Sequence, residues 1–476
     1  MESSESHTAS LQKPQVEVKH RWMAITGLML GAFVGMLSET SLNIALPQLM
    51  DTFSLEAGTA QWLITGYMLV IGIILPFSSL LSKWFTTRQI TIFALLDFIT
   101  GAVISALAPN FGILLTGRMI QGIGTGMILP LMFTVVMTIF PPYKLGTAMG
   151  MCALVIMVAP AIGPTITGLI LGKLSWNWIF WFFIPFLLIA LLFSVFSLEN
   201  VGQVTKPHVD VLSLLESIIS FSCLVMGASF ASSLGWGSPI ILSMLIVGII
   251  VLSFYAHRQL NIKNPVLNLR VFAKPAFVKG TIGVMIDFAI ILSSMYLLPQ
   301  YIQKGMLVAV ALTGIIMLPG GIANAVVSAF AGRLYDSIGA KKPAVSGFLI
   351  AAVGAIMLLL TNKDSSIAYV ITAHVILMIG TPLAMAPSQT YALNALEGLE
   401  SANGSTILNT LQQVVGAIAT ALATSFLALG QSAYTGNNAA ASFTNGSHYG
   451  FVFTLVLTIL GTIVALNFKS QKSGKQ

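Results

Sequence analysis

Four ionisable side chains stand in stretches otherwise too apolar for them. Glu39 lies in Leu37-Ser38-Glu39-Thr40, Asp97 follows Leu95-Leu96, Arg118 opens Arg118-Met119-Ile120-Gln121-Gly122, and Asp287 has no cation in its own segment. An ionisable group held away from water is costly unless it is paired, hydrated or used. A carboxyl in such surroundings can bind a proton from one side and lose it on the other, because hydration and neighbouring charge decide its form. Glu39 is the first candidate for this chemistry, followed by Asp287 and Asp97. Arg118 stays charged, so it can hold a nearby carboxylate ionised or compete with the incoming proton. Structural alternatives stand next to these roles: a polar partner for Glu39, a buried pair for Arg118, and an interhelical hydrogen bond or hydration for Asp97. Little else offers chemistry. The six histidines are scattered, with His374 alone inside an apolar run, and Cys152 and Cys223 both sit among apolar residues. There is no Gly-x-x-x-x-Gly-Lys-Ser/Thr loop, and Gly122-Ile123-Gly124-Thr125-Gly126 lies inside an apolar run with no strand before it. An ATP-driven machine, an enzyme and a metal site are thereby disfavoured, and no cofactor is expected.

The elements that must hold these groups follow from composition. Of 476 residues, 56% are apolar and 8% charged, and mean hydropathy is +0.91; a soluble chain carries roughly 25% charged residues. The fold class is an all-α polytopic membrane protein, since a β-barrel would alternate polar and apolar residues. Apolar runs fall near 22–48, 60–81, 89–108, 112–139, 145–171 and 176–197, then 213–233 and 239–257, then 280–302, 307–331, 343–361, 367–390, 404–430 and 449–468. The expected organisation is a cytoplasmic tail (1–21), an N-terminal six-helix bundle (22–197), an extra helix pair (213–257), a basic cytoplasmic segment (258–279), a C-terminal six-helix bundle (280–468) and a short tail (469–476). Trp176 and Trp178 are expected as interfacial anchors. With the N-terminus inside, only Lys173, Lys304 and Lys363 of the 22 basic residues lie outside and Arg118 lies within a helix. That segregation predicts cytoplasmic termini, and it accounts for the net charge of +7 without a nucleic-acid partner.

Short motifs then narrow the class. Gly332-Arg333-Leu334-Tyr335-Asp336-Ser337-Ile338-Gly339-Ala340-Lys341-Lys342 follows the second helix of the C-terminal block, and Leu81-Ser82-Lys83-Trp84-Phe85-Thr86-Thr87-Arg88 is its eroded counterpart, without the Asp and both Gly. Leu42-Asn43-Ile44-Ala45-Leu46-Pro47, Gln61-Trp62-Leu63-Ile64-Thr65-Gly66-Tyr67 and Ala159-Pro160-Ala161-Ile162-Gly163-Pro164-Thr165-Ile166-Thr167-Gly168 accompany the Arg118 segment, with Leu318-Pro319-Gly320-Gly321 and Leu411-Gln412-Gln413-Val414-Val415-Gly416 further on. Together they resemble the major facilitator superfamily, and within it the fourteen-helix drug:proton antiporter branch that includes lincomycin-resistance-type exporters.

The resemblance implies a major facilitator fold of two six-helix bundles plus two extra transmembrane helices. It implies an antiporter of the bacterial cytoplasmic membrane that uses the proton gradient to export hydrophobic or amphiphilic, often cationic, drugs by alternating access, with a dedicated exporter of an endogenous metabolite or lipid-like product as the alternative. Partners are then the bilayer, drugs and protons, and a monomer is expected. Glu39 stands where the family usually has Asp, and Arg118 belongs to the coupling motif. Pro160, Gly163, Pro164 and Gly168, with Gly332, Arg333, Asp336 and Gly339, are conformational motifs. Asn43, Trp62, Tyr67, Gln121, Asn409 and Gln412 are candidates for the substrate cavity, which needs aromatic and adaptable walls with few polar anchors.

Overall fold

In a computed structural model, residues 20–140, 142–201, 204, 210–262, 265–396 and 399–469 are described. Lipid offers no hydrogen bonds to a bare backbone, so the apolar runs become helices. They are α1 (Arg21–Phe53), α2 (Trp62–Trp84, led in by the turn Ala57–Ala60), α3 (Thr87–Ala106), α4 (Phe111–Ile139), α5 (Pro142–Leu171), α6 (Asn177–Ser197) and α7 (Val211–Leu234). There follow α8 (Pro239–Asn261), α9 (Pro275–Gln300), α10 (Val310–Ile338), α11 (Lys341–Leu359), α12 (Ile367–Leu393), α13 (Leu399–Ala433) and α14 (Ala439–Leu466). Among the described residues there is no strand, and fourteen helices are long and apolar enough to cross a bilayer.

The helix number is the expected one, whereas several bounds are wider. The clearest difference is α14, which begins at Ala439 rather than near 449. Its polar first turns are capped by Asn438, which accepts from the Ala441 amide at 3.1 Å, and are spent on neighbours: Asn445 Nδ2 donates to the Gly430 carbonyl at 2.6 Å, and His448 Nε2 meets the Thr361 carbonyl at 2.6 Å. Trp176 also departs from expectation. It is 7% exposed and packs its ring on Phe53 and Phe180, whereas Trp178 is half exposed as an anchor would be.

In the first block α1 packs on α4, α5 and α6, α3 on α4 and α6, and α2 on α4; in the last, α9 packs on α12, α13 and α14, α11 on α12 and α14, and α10 on α12. The blocks meet along α5–α10, α2–α13 and α1–α9. Small residues permit the closest of these approaches. A Cβ on Gly168 would lie 3.0 Å from the Cα of Gly314, and one on Gly321 would lie 3.0 Å from the Cα of Ala161. Thr165 Oγ1 donates to the Gly314 carbonyl at 2.9 Å across the same contact. At the C-terminal ends of α1 and α9, Gln303 Nε2 donates to the Ile44 carbonyl at 3.0 Å and Lys304, in the π-helical turn Tyr301–Gly305, pairs with Asp51.

The extra pair α7–α8 is not a detached appendage. Besides α8, α7 touches both α2 and α13, and Phe230 lies 4.9 Å from the Trp62 ring. Its entry is fixed by Asp210, which receives Nε and Nη2 of Arg258, each at 2.8 Å. That fork holds the Asp210 carboxyl well below the usual carboxylate range. Next to it, Gln259 donates to Ser213 at 2.6 Å and accepts from the Val266 amide at 2.8 Å, which orders the connector into α9.

Candidate functional site

Arg118 is the organising residue. It sits on α4 with no exposed surface, and its hydrogen-bond partners among the described residues are neutral. Nη1 donates to Ser38 Oγ at 2.6 Å and to Gln121 Oε1 at 2.7 Å, Nε to the Leu63 carbonyl at 3.2 Å, and Nη2 to the Ser38 carbonyl at 3.4 Å. The Tyr67 ring lies 3.9 Å from the guanidinium carbon, in cation–π contact. Tyr67 is itself fixed, its hydroxyl donating to the Gly35 carbonyl at 3.0 Å and sharing a hydrogen bond with Thr125 at 2.7 Å. Thus α1, α2 and α4 are bound together through one guanidinium.

Glu39 lies beside this cradle and outside it. It is 4% exposed, Oε2 has no hydrogen-bond partner among the described residues, and no ion pair joins it to Arg118. The guanidinium acts on it through space. Asp287, on α9, is completely buried, and neither carboxyl oxygen has a partner among the described residues. Asp97 differs from both: its Oδ2 accepts from the Gly124 amide at 2.9 Å, which ties α3 to α4 as the interhelical alternative requires.

The residues expected to line a cavity are divided. Tyr67 and Gln121 are fully buried and serve Arg118. Trp62 faces α7 through Phe230, and Asn43 donates to the Thr40 carbonyl of its own helix at 3.3 Å. On α13, Asn409 is half-buried and Gln412 is 8% exposed. Two pockets, of about 260 and 220 Å³, open beside the end of α1, the first bordered by Met50, Glu56, Ser233 and Gln431, where α7 and α13 also end, and the second by Pro47, Asp51 and Lys304, just beyond α9. Neither is lined by the six expected cavity residues, and both fall below the roughly 300 Å³ of a drug-sized site.

The conformational motifs have definite places. Pro164 has no amide to give the Pro160 carbonyl one turn back; Thr40 Oγ1, from α1, donates to that carbonyl at 3.4 Å. A Cβ on Gly163 would meet the same threonine. Gly339 ends α10 at φ 77°, a left-handed conformation that favours glycine, and its amide returns to the Tyr335 carbonyl at 2.8 Å. Arg333 stands over the Phe330 ring, Gly332 has open space on its Cβ side, and the side chain of Asp336 lies outside the described residues. In the eroded counterpart, the Arg88 amide donates to Asn200 at 3.2 Å and its guanidinium to the Val195 carbonyl, so this arginine ties α3 to the end of α6.

Sequence reasoning missed Ser38 and the Leu63 carbonyl as ligands of the guanidinium. Ser38 adjoins Glu39, so its position carried a signal; a backbone carbonyl carries none.

Residues 28–420 match the family model described as Major Facilitator Superfamily. The chain is 44% identical over 455 residues to the lincomycin resistance protein LmrB of Listeria monocytogenes, covering 94% of this chain and 97% of the relative. It is 46% identical over 455 residues to the LmrB of Bacillus subtilis, covering 94% and 95%. Among solved structures, a POT family transporter in complex with a thioalcohol-conjugated peptide superposes with a TM-score of 0.69 at 16% identity, over 94% of this chain and 97% of that one, a likeness of fold. Fourteen membrane-length helices, a guanidinium cradle joining three of them, and these relatives converge: the chain belongs to the Major Facilitator Superfamily and is a multi-pass membrane transporter.

Proposed function

We propose that the chain exports hydrophobic and amphiphilic, often cationic, drugs across the bacterial cytoplasmic membrane in exchange for inward-moving protons, as a monomer with cytoplasmic termini and no cofactor. The observation that carries this reading is the state of Glu39 and Asp287. Each is a buried carboxyl in the first helix of its block, and neither is held in an ion pair among the described residues. Such a group can change charge without first breaking a salt bridge, whereas Arg118 beside Glu39 is hydrogen-bonded to neutral partners through all three of its nitrogens and supplies a fixed field. The names carried by the LmrB relatives support an antibiotic as one kind of cargo. The glycine contacts of α5 with α10 suit a surface on which the halves slide during alternating access.

The test is drug-dependent proton movement in everted vesicles. Wild type is expected to move protons when a drug such as lincomycin is added, and Glu39→Gln to insert normally yet lose proton-driven efflux. Full efflux by Glu39→Gln would remove Glu39 from the coupling path. A growth-inhibition panel in an efflux-deficient host separates drugs from a dedicated metabolite: resistance to no compound in the panel would favour the metabolite.

A further inference from the structure

The two blocks are in register at a level that motif comparison does not show. Arg118 is the eighth residue of α4, counting from Phe111, and His374 is the eighth of α12, counting from Ile367. Tyr67 is the eleventh residue from Ala57, where the lead-in to α2 begins, and Gly320 is the eleventh of α10 from Val310. In each block these two stations pack together. Arg118 lies over the Tyr67 ring, and a Cβ on Gly320 would overlap the imidazole of His374. The register continues two turns on. Thr125 and Thr381 are both the fifteenth residue of their helix, counting from Phe111 and Ile367, and both hydrogen bond to the second helix of the block, at 2.7 Å to Tyr67 and 3.1 Å to Asn324 Nδ2. His374 therefore occupies the seat of Arg118, and glycine has taken the place of the tyrosine ring.

The occupants differ in chemistry. Arg118 is a permanent cation with four of its five N–H donors engaged. His374 is 2% exposed, and neither ring nitrogen has a hydrogen-bond partner among the described residues. Facing it is Gly320 of α10, and Asn324, one turn further along α10, is engaged with Met378 and Thr381. No charged side chain among the described residues acts on it. An imidazole is the side chain whose ordinary titration falls between about pH 5 and 8, and neither its N–H nor the second one a proton would add has an acceptor among the described residues.

We infer that His374 is a proton-binding site of the C-terminal block, separate from Glu39 and Asp287, which binds its proton only when α12 parts from α10 and the ring nitrogens reach water. The sealed arrangement holds the ring without a partner, so a proton favours the parted one, and the ratio of parted to sealed molecules rises by at most tenfold per unit fall in pH for one proton. The inference does not rest on the coupling role of Glu39, and it concerns a conformational equilibrium that can be measured without any drug.

The experiment follows the distance between spin labels on α10 and α12 in the full chain, in lipid nanodiscs, from pH 8 to 5. Wild type and Glu39→Gln are expected to show a one-proton transition toward the longer distance, and His374→Gln and His374→Asn to show none while keeping the sealed distance. A pH-independent distance in wild type overturns the proposal whether or not the variants fold. So does a transition retained in either histidine variant. Loss of the transition in Glu39→Gln with retention in His374→Gln would assign the titration to the N-terminal block and overturn it as well.

Discussion

Where α4 meets α2, a buried cation is surrounded by a serine, a glutamine, two backbone carbonyls and an aromatic face. Where α12 meets α10, the matching station holds an imidazole whose nitrogens have no hydrogen-bond partner among the described residues, set against a glycine. The architecture is repeated and the chemistry is not. A saturated group is costly to move, because every ligand it leaves becomes an unpaired buried polar atom. An unsaturated one is costly to keep, and the expense is relieved when the packing changes. The N-terminal station is built to stay and the C-terminal station to respond.

Breaking the built station should have the largest effect. Arg118→Ala strands Ser38, the Leu63 carbonyl and Gln121 together, and a destabilisation of about 3 kcal/mol or more is expected. The thermal midpoint in detergent should drop and efflux fall to background. Arg118→Lys should rescue stability only in part, since one ammonium cannot reproduce the fork. At the responsive station, Gly320→Ala overpacks the imidazole by about 1–3 kcal/mol. Combining it with His374→Ala should recover most of that loss in a double-mutant thermal analysis, and strict additivity would show that the two residues do not press on each other. Tyr67→Phe sharpens the contrast, because it keeps the ring beneath the guanidinium and removes the hydroxyl bonds; about 1 kcal/mol is expected.

The contact between the halves is a weaker test. Asp51→Asn or Lys304→Gln removes an exposed ion pair worth about 0.5 kcal/mol. The change should show as a salt-sensitive rise in labelling of a cysteine introduced at Pro47. Asp210→Asn in the extra pair removes a half-exposed fork worth about 1 kcal/mol at most. Because pairing lowers the folded carboxyl below its ordinary value, this contribution is present above about pH 4, the unfolded range, and is lost as pH falls below it. The gap in stability between wild type and Asp210→Asn should therefore be full at pH 7 and shrink on acidification below pH 4.

Helix number was legible because lipid leaves an apolar run no other way to satisfy its backbone. The start of α14 was not, since Asn445 and His448 read as a polar loop until their partners on α13 and beside α11 are known. Glu39, Arg118 and Asp287 declared themselves as charges among apolar neighbours. The ligands of Arg118 could not, because a backbone carbonyl of α2 is chemically identical to every other. His374 stood out as the histidine within an apolar run, yet its meaning depends on counting along α12 and α4 together, which needs both helix starts.

The position of α7 has a mechanical consequence. A helix lying on both α2 and α13 fastens the two halves along one contact, where the Trp62 and Phe230 rings meet at a tilt, while the contact of α5 with α10 sets Gly168 on Gly314 and Gly321 on Ala161, with little side-chain relief to climb over. A body fastened on one side and smooth on the other does not open like a symmetrical clam. In the alternating access proposed above, the halves are expected to swing as a door does, with the pivot at α7 and the longest travel at α5 and α10.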